Sequence, residues 1–395
     1  MIRLAVLAAA LALIAGGAEA APHLERVVVV MRHGVRPPTQ SNADLAKYAA
    51  EPWPAWTVAP GELTPHGGET VKLMGDTLRA AYVAKGLVPA TRCAGAGQVT
   101  VWADGTDQRT RRTGEILAEA LQPGCGVKTA WAAPQPRDPI FGGSTSDGCK
   151  VDAAHGYAPP TLSPEDLGRL NAATARLQAI FAPTACQGGP GMCFASAPAD
   201  KGFFPQTAGL AEDLLLEYAD GKPMGEVGWG RATAADIAAT LPLHEAAFGR
   251  IHDNVYASSR RGAPMTRAIL AALAGMPAVG GPQSGPDLKI LGLAGHDTNL
   301  VFMASTFGLT WTLPGEPDGT APSTALVFEL WSDGGRRYVR PVIYYETLEQ
   351  LRALSPALAE ALPLRFAGCA DGPMASCAYE TVKQRVEALI PSDCV

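Results

Sequence analysis

Four consecutive valines, Val27 to Val30, run straight into Met31, Arg32, His33 and Gly34. A strand whose successive side chains are all apolar has to be covered on both faces, as in a parallel sheet packed between helices. The pattern recurs at Leu288 to Ala294 (LKILGLA), which ends in Gly295, His296 and Asp297. In open α/β sheets the ligand crevice lies beyond the carboxyl ends of the strands. Two core strands that both exit into a histidine therefore point to one end of one sheet.

The segments between and around them fit such a sheet. Thr64 to Ala84 carries an N-cap threonine, a first-turn proline and apolar residues at helical spacing (Val71, Met74, Leu78, Tyr82). Gln98 to Ala103 (QVTVWA) reads as a strand, and a second helix begins at Asp107. Thr324 to Trp331 and Tyr338 to Tyr345 supply two late strands. From about residue 142 the character changes to Ala-rich helical stretches, Pro164 to Phe181, Ala208 to Tyr218 and Ala232 to Tyr256, joined by Gly/Pro/Cys loops. The expectation is an α/β fold: a three-layer core with a mostly parallel sheet, built from residues 21–141 and 285–395, and an inserted helical cap domain at 142–284. Two lobes also suit 395 residues, since single cores stop growing at roughly 250 to 300.

The formal net charge is −6 and no Lys/Arg run exceeds two residues, so there is no footprint for a nucleic-acid partner. Met1 to Ala20 has an early Arg3, an apolar stretch from Leu4 to Ile14 and a small-residue site at Ala18-Glu19-Ala20. It reads as a signal peptide cleaved after Ala20, sending a mature chain without a membrane segment to the periplasm or outside the cell. Eight cysteines agree with an oxidising compartment: Cys93, Cys125, Cys149, Cys186, Cys193, Cys369, Cys377 and Cys394. No C-x-x-C pair suggests zinc. Proximity favours Cys186 with Cys193 and Cys369 with Cys377, leaving the other four open.

Chemistry concentrates at three places. Arg32-His33-Gly34-Val35-Arg36-Pro37-Pro38-Thr39 sets two guanidiniums around an imidazole, with no carboxylate in the segment to neutralise them. Such a site calls for an anion, because guanidinium forks match tetrahedral oxyanions. The cationic form of His33 is repelled there, so the ring is expected to stay neutral and nucleophilic at acidic pH. Asp107-Gln108-Arg109-Thr110-Arg111-Arg112-Thr113 opens a helix, where one arginine can add to a phosphate clamp. Gly295-His296-Asp297 adds a donor and a carboxyl that can protonate a leaving oxygen.

In these segments the chain resembles the histidine acid phosphatases, branch 2 of the histidine phosphatases, whose motifs are R-H-G-x-R-x-P and a downstream H-D. The resemblance spans nearly the whole chain and is strongest to bacterial periplasmic phytases and glucose-1-phosphatases. It is carried also by LTPHGGE (Leu63 to Glu69), DQRTRRTGE (Asp107 to Glu115), GWGR (Gly228 to Arg231), AGHDTNL (Ala294 to Leu300) and WTLPGEPD (Trp311 to Asp318). It implies a phosphoglycerate-mutase-like core. It implies that His33 attacks phosphorus, that Arg32, Arg36, Arg109 and His296 bind the phosphoryl oxygens, and that Asp297 protonates the leaving alcohol. It also implies the pairs Cys93–Cys125, Cys149–Cys394, Cys186–Cys193 and Cys369–Cys377.

For the substrate, the resemblance points to Thr39, Gln40, Glu212 and Arg261. Gln40 stands where phytases carry a lysine, which removes one cation from a phytate pocket. His66, which replaces an arginine usual in its segment, is expected to be structural, and His155, His244 and His252 have no motif support. The expected activity is that of a monomeric, exported acid phosphatase acting on small-molecule phosphomonoesters, phytate or a relative, with neither metal nor other cofactor. A glucose-1-phosphatase, a broad acid phosphatase and, more remotely, a phosphate-binding protein without turnover are the alternatives.

Overall fold

The computed structural model describes residues 21–132, 138–142, 149–152, 155, 162–194, 205–369 and 372–394. The expected signal peptide lies outside the described residues. Strands β1 (His23–Arg32), β2 (Val99–Ala103), β3 (Thr129–Ala130), β4 (Ile290–Gly295), β5 (Ala325–Asp333), β6 (Arg336–Tyr345) and β7 (Glu360–Pro363) form one sheet in the order β3-β2-β4-β1-β5-β6-β7. A short β8 (Cys377–Ala378) pairs with β6.

The valine run divides between two faces, as alternation along a strand requires. Val27, Val29 and Met31 pack with Val71, Met74 and Leu78 of helix Pro65–Ala84 and Leu117 of helix Gln108–Leu121. Val28 and Val30 pack on the opposite side with Ile269 of helix Ala263–Ala274, Met303 of helix Asp297–Phe307 and Val382 of helix Tyr379–Glu387. Each fully buried valine stabilises this three-layer arrangement by roughly 1.5 kcal/mol or more.

The sheet is mixed. β3, β2, β4 and β1 run parallel, whereas β1 to β5, β5 to β6 and β6 to β7 are antiparallel. The expectation of a mostly parallel sheet therefore holds only for the half that carries the strand exits. The reason lies in Gly334-Gly335, both at positive φ, which join β5 to β6 in a two-residue hairpin. Such a link admits only antiparallel neighbours.

A second apolar cluster joins Leu177 and Phe181 of helix Pro164–Phe181, Leu210 and Leu214 of helix Pro205–Ala219, and Ile237, Leu241, Leu243 and Trp53. The stretch expected as one helix over 232–256 is broken into Ala234–Thr240, Pro242–Asp253 and Val255–Arg261. Pro242 cannot continue a helix through its own nitrogen. The Asn254 side chain accepts from Ala257 N–H at 3.0 Å and starts the third helix.

Disulfides join Cys93–Cys125, Cys149–Cys394, Cys186–Cys193 and Cys369–Cys377. No helix among the described residues is long and apolar enough to cross a membrane.

Candidate active site

Sheet register brings three strand exits together. Arg32 of β1 lies opposite Gly295 of β4, and the His33 N–H donates to the Gly295 carbonyl at 2.9 Å. Ala103 of β2 lies opposite Ala294, and the Asp104 N–H donates to the Ala294 carbonyl at 3.0 Å. His33, His296 and Asp104 thus leave adjacent strands side by side. The turn after His33 packs on the first turn of helix Pro65–Ala84, where a side chain on Gly34 would overlap the Gly67 carbonyl and one on Gly67 would overlap the Val35 backbone. Both glycines are needed for that close approach.

His33 is buried, and its Nδ1 lies 2.8 Å from the Gly34 carbonyl. A carbonyl only accepts, so Nδ1 carries the proton and Nε2 is left with a free lone pair. Burial, then the charges of Arg109, Arg36 and Arg32, hold the ring well below the ordinary histidine range. The ring is neutral in mildly acidic water, the state a nucleophile needs.

A cavity of about 460 Å³ opens over His33, lined among others by Arg36, Arg109, Arg261, His296 and Asp297. Arg36 donates to the Pro37 carbonyl and to Glu212, and Arg109 to the Gly61 carbonyl and Asp107, at 2.9 to 3.3 Å. Among the described residues the buried Nε–H of each has no partner. Arg32 has no exposed surface and sits beneath the cavity. It is ion-paired with Glu212, with Asp297 at 3.2 Å and with Asp318 at 3.3 Å, and donates to the Thr320 carbonyl at 2.6 Å.

The fold thus supplies the carboxylates that the local segment lacks, and Arg32 is compensated before any ligand arrives. Burial would lower its pKa, but Asp297, Glu212 and Asp318 outweigh it and hold the guanidinium charged. Burial likewise would raise Glu212, yet Arg36 and Arg32 hold its carboxyl down to about 2.

Of the other arginines opening helix Gln108–Leu121, Arg111 donates to the Gly105 carbonyl at 2.6 Å and Arg112 pairs with Glu115. Thr39 and Gln40, expected at the substrate, are exposed and do not line this cavity. The buried Pro37-Pro38 pair carries the chain outward, and Gln40 borders a separate recess with Tyr48 and Asp213. His66 meets the Leu351 carbonyl at 2.7 Å, tying helix Pro65–Ala84 to the distant helix Leu348–Ala353.

Sequence reasoning assigned no role to three residues that the fold brings here. Asp104 faces His296 Nε2 at 2.8 Å. Asp318 lies fully buried under Arg32. His244 lies 3.6 Å from Asp318, and although burial would lower it, Asp318 raises it to about 9. Asp318 at least stands in the quoted WTLPGEPD segment; for His244 and Asp104 the signal is the fold itself.

Residues 23–176 match the model of the histidine phosphatase superfamily (branch 2). The chain is 33% identical over 386 residues to phytase AppA of Escherichia coli (strain K12), covering 88% of this chain and 87% of the relative. It is 26% identical over 365 residues to a glucose-1-phosphatase of Salmonella typhimurium, covering 87% and 84%. The structure of Hafnia alvei phytase in its apo form superposes with a TM-score of 0.84 at 32% identity, over 95% of this chain and 99% of that one. With the two histidine exits already assembled at one sheet end, the chain belongs to branch 2 of the histidine phosphatase superfamily and is a phosphomonoester hydrolase.

Proposed function

We propose that the protein is an exported acid phosphatase that turns over phosphomonoesters through a phosphohistidine on His33, with inositol polyphosphates as its leading substrate class. The observation that carries the reading is the His33–Gly34 contact, which presents an unprotonated Nε2 to a cavity edged by Arg36 and Arg109. In the first step a bond forms from Nε2 to phosphorus, the ester P–O bond breaks, and the leaving oxygen takes a proton from the Asp297 carboxyl. In the second step water attacks phosphorus and gives a proton to Asp297, the phosphorus–Nε2 bond breaks with its electron pair returning to His33, and phosphate leaves. Arg36, Arg109 and His296 bind the phosphoryl oxygens while the buried Arg32 adds its charge from behind, together supplying the charge neutralisation that Mg²⁺ supplies in many phosphoryl-transfer sites.

In this reading residues 142–284 act as a cap on a core of 21–141 and 285–395. Support comes from Arg261, which lines the cavity, and from Glu212, which reaches Arg32 and Arg36. Helix Ala263–Ala274, at the end of that cap, returns to the sheet. Phytase relatives at 32 to 33% identity support the inositol class. The sequence pattern of Met1 to Ala20 and the four disulfides support export to the periplasm.

A second reading, a preference for small sugar or aryl phosphates, is favoured by the cavity's own charge. Arg36, Arg109 and Arg261 are matched there by Asp104, Asp107 and Asp297, and Phe141 and Phe302 add apolar wall. The test is phosphate release at mildly acidic pH, with EDTA present, from phytate, glucose-1-phosphate and an aryl phosphate. The highest kcat/KM on phytate supports the first reading, and a higher value on the small esters the second. Failure on all three contradicts the function.

A further inference from the structure

Arg32 joins two carboxylates that sit in different places. On one side its Nη1 donates to Asp318 Oδ2 at 3.3 Å and to the Thr320 carbonyl at 2.6 Å. On the other its Nη2 meets Glu212 and Asp297 Oδ2, the latter at 3.2 Å. Asp297 lines the cavity over His33, whereas Arg32 and Asp318 have no exposed surface and lie beneath it.

A guanidinium is flat and rigid, so whatever fixes Nη1 also fixes Nη2. Asp318 is itself held firmly enough to do that. Its Oδ1 accepts from the Thr320 N–H at 2.8 Å and from Thr320 Oγ1 at 3.0 Å, which leaves Oδ2 for Arg32. Its own N–H donates to Glu316 at 3.0 Å, and the N–H of Gly319 donates to Glu245 of helix Pro242–Asp253 at 3.0 Å. His244 of that helix closes the far side, 3.6 Å from Asp318 Oδ1.

Among the described residues Asp297 is held at two points: Oδ1 accepts from the Thr298 N–H at 2.6 Å, and Oδ2 is placed by Arg32. If Nη1 lost its carboxylate partner, the guanidinium could turn and grip Asp297 through both of its oxygens, the geometry that arginine forks favour with carboxylates. Asp297 would then be drawn off the cavity. An amide cannot stand in for Asp318, because both of its oxygens accept and an Asn NH₂ would face a donor on either side.

We propose that Asp318 is a positioning residue: by fixing Arg32 from below, it keeps Asp297 turned to the cavity, where Asp297 hands a proton to the leaving oxygen. The proposal rests on the phosphatase reading above and adds to it the residue that aims the acid.

The test compares two esters that differ in their need for that proton. Para-nitrophenyl phosphate releases a phenolate that leaves readily without one, whereas glycerol phosphate releases an alkoxide that does not. The readout is kcat/KM, which covers the step in which the ester bond breaks, and its ratio between the two esters is independent of how much enzyme is folded. In Asp318→Asn the ratio should tilt roughly ten-fold against glycerol phosphate, part of what a well-placed general acid supplies. Thr320→Val keeps the Asp318 charge and removes one hydrogen bond to it, so it should tilt the ratio the same way by less, and it decides the matter where Asp318→Asn folds poorly. On an Asp297→Asn background, where the ratio is already tilted, Asp318→Asn should add almost nothing to the tilt. Equal losses on both esters in Asp318→Asn and Thr320→Val would mark Asp318 as merely structural and overturn the proposal, as would an undiminished tilt on the Asp297→Asn background. Equal losses on both esters in Asp297→Asn alone are a separate failure, of the acid assigned in the underlying mechanism, and would take the proposal with it.

Discussion

His33 and His296 stand edge to face, ring centroids 5.6 Å apart and planes at 79°, although 263 residues separate them in sequence. Parallel pairing of β1 with β4 makes them neighbours, and the different groups behind each ring set their chemistry.

Activity should persist well below the ordinary histidine pKa, because burial and Arg109, Arg36 and Arg32 keep His33 neutral there. Replacing Arg109 with Gln removes one of those charges and lets His33 protonate more readily. The acid limb of kcat/KM should therefore move to higher pH, on top of a loss from the clamp itself. A pH–rate profile of the two proteins checks this, and an unmoved acid limb counts against the electrostatic account.

Gly67→Ala should destabilise the protein by about 1 to 3 kcal/mol, the usual scale of overpacking. The added methyl meets the Val35 backbone and pushes on the turn that carries His33. Activity should fall with stability. Gly86→Ala is the control for space, since no described residue lies within 4 Å of a side chain there and only its positive φ is strained. Thermal unfolding and kcat distinguish the two.

Stability should decline as pH rises from mildly acidic values. His244 is raised to about 9 by Asp318 against the effect of burial, so its contribution is complete below about 6.5 and is lost as pH passes 9. Burial raises Glu217 to about 7 and Glu346 to about 8. In the unfolded chain both would ionise near 4.5, so folding also becomes less favourable as pH climbs from there through 7 to 8. Denaturant unfolding between pH 5 and 9 checks the slope. His244→Ala, which strips Asp318 of a buried counter-charge, should cost about 3 kcal/mol at pH 5 and flatten the upper part of the curve.

Removing Cys149–Cys394 by paired serine substitution should cost about 2 to 5 kcal/mol, since it closes a loop of 245 residues. The site is built on strand exits elsewhere, so kcat at low temperature should change little. Denaturant melts and initial rates measured together test both halves of that statement.

Much of this was legible in the sequence because chemistry follows strands there. The valine run and LKILGLA announce buried neighbours, and the residues after each, His33 and His296, inherit their placement from the sheet. What was not legible depends on contacts between distant segments. Asp104 meets His296 across 192 residues and Asp318 meets Arg32 across 286, so no local pattern marks either carboxylate. Reading Arg32-His33-Gly34-Val35-Arg36 alone gave an uncompensated cationic loop, whereas the folded site is nearly balanced. Gly334-Gly335 was a readable hairpin signal, and weighing it against the valine run would have made the sheet mixed from the start.

The central claim is a covalent phosphorus–nitrogen bond on His33, and rapid quenching during turnover tests it most directly. With an aryl phosphate in excess, quenching into alkali and peptide mass mapping should find one phosphorylated histidine, His33, at a level that falls as substrate runs out. His33→Ala should show none and should lose at least about 10³-fold in kcat. Full turnover by His33→Ala, or a wild-type enzyme cycling rapidly with phosphate on another residue, would contradict the account.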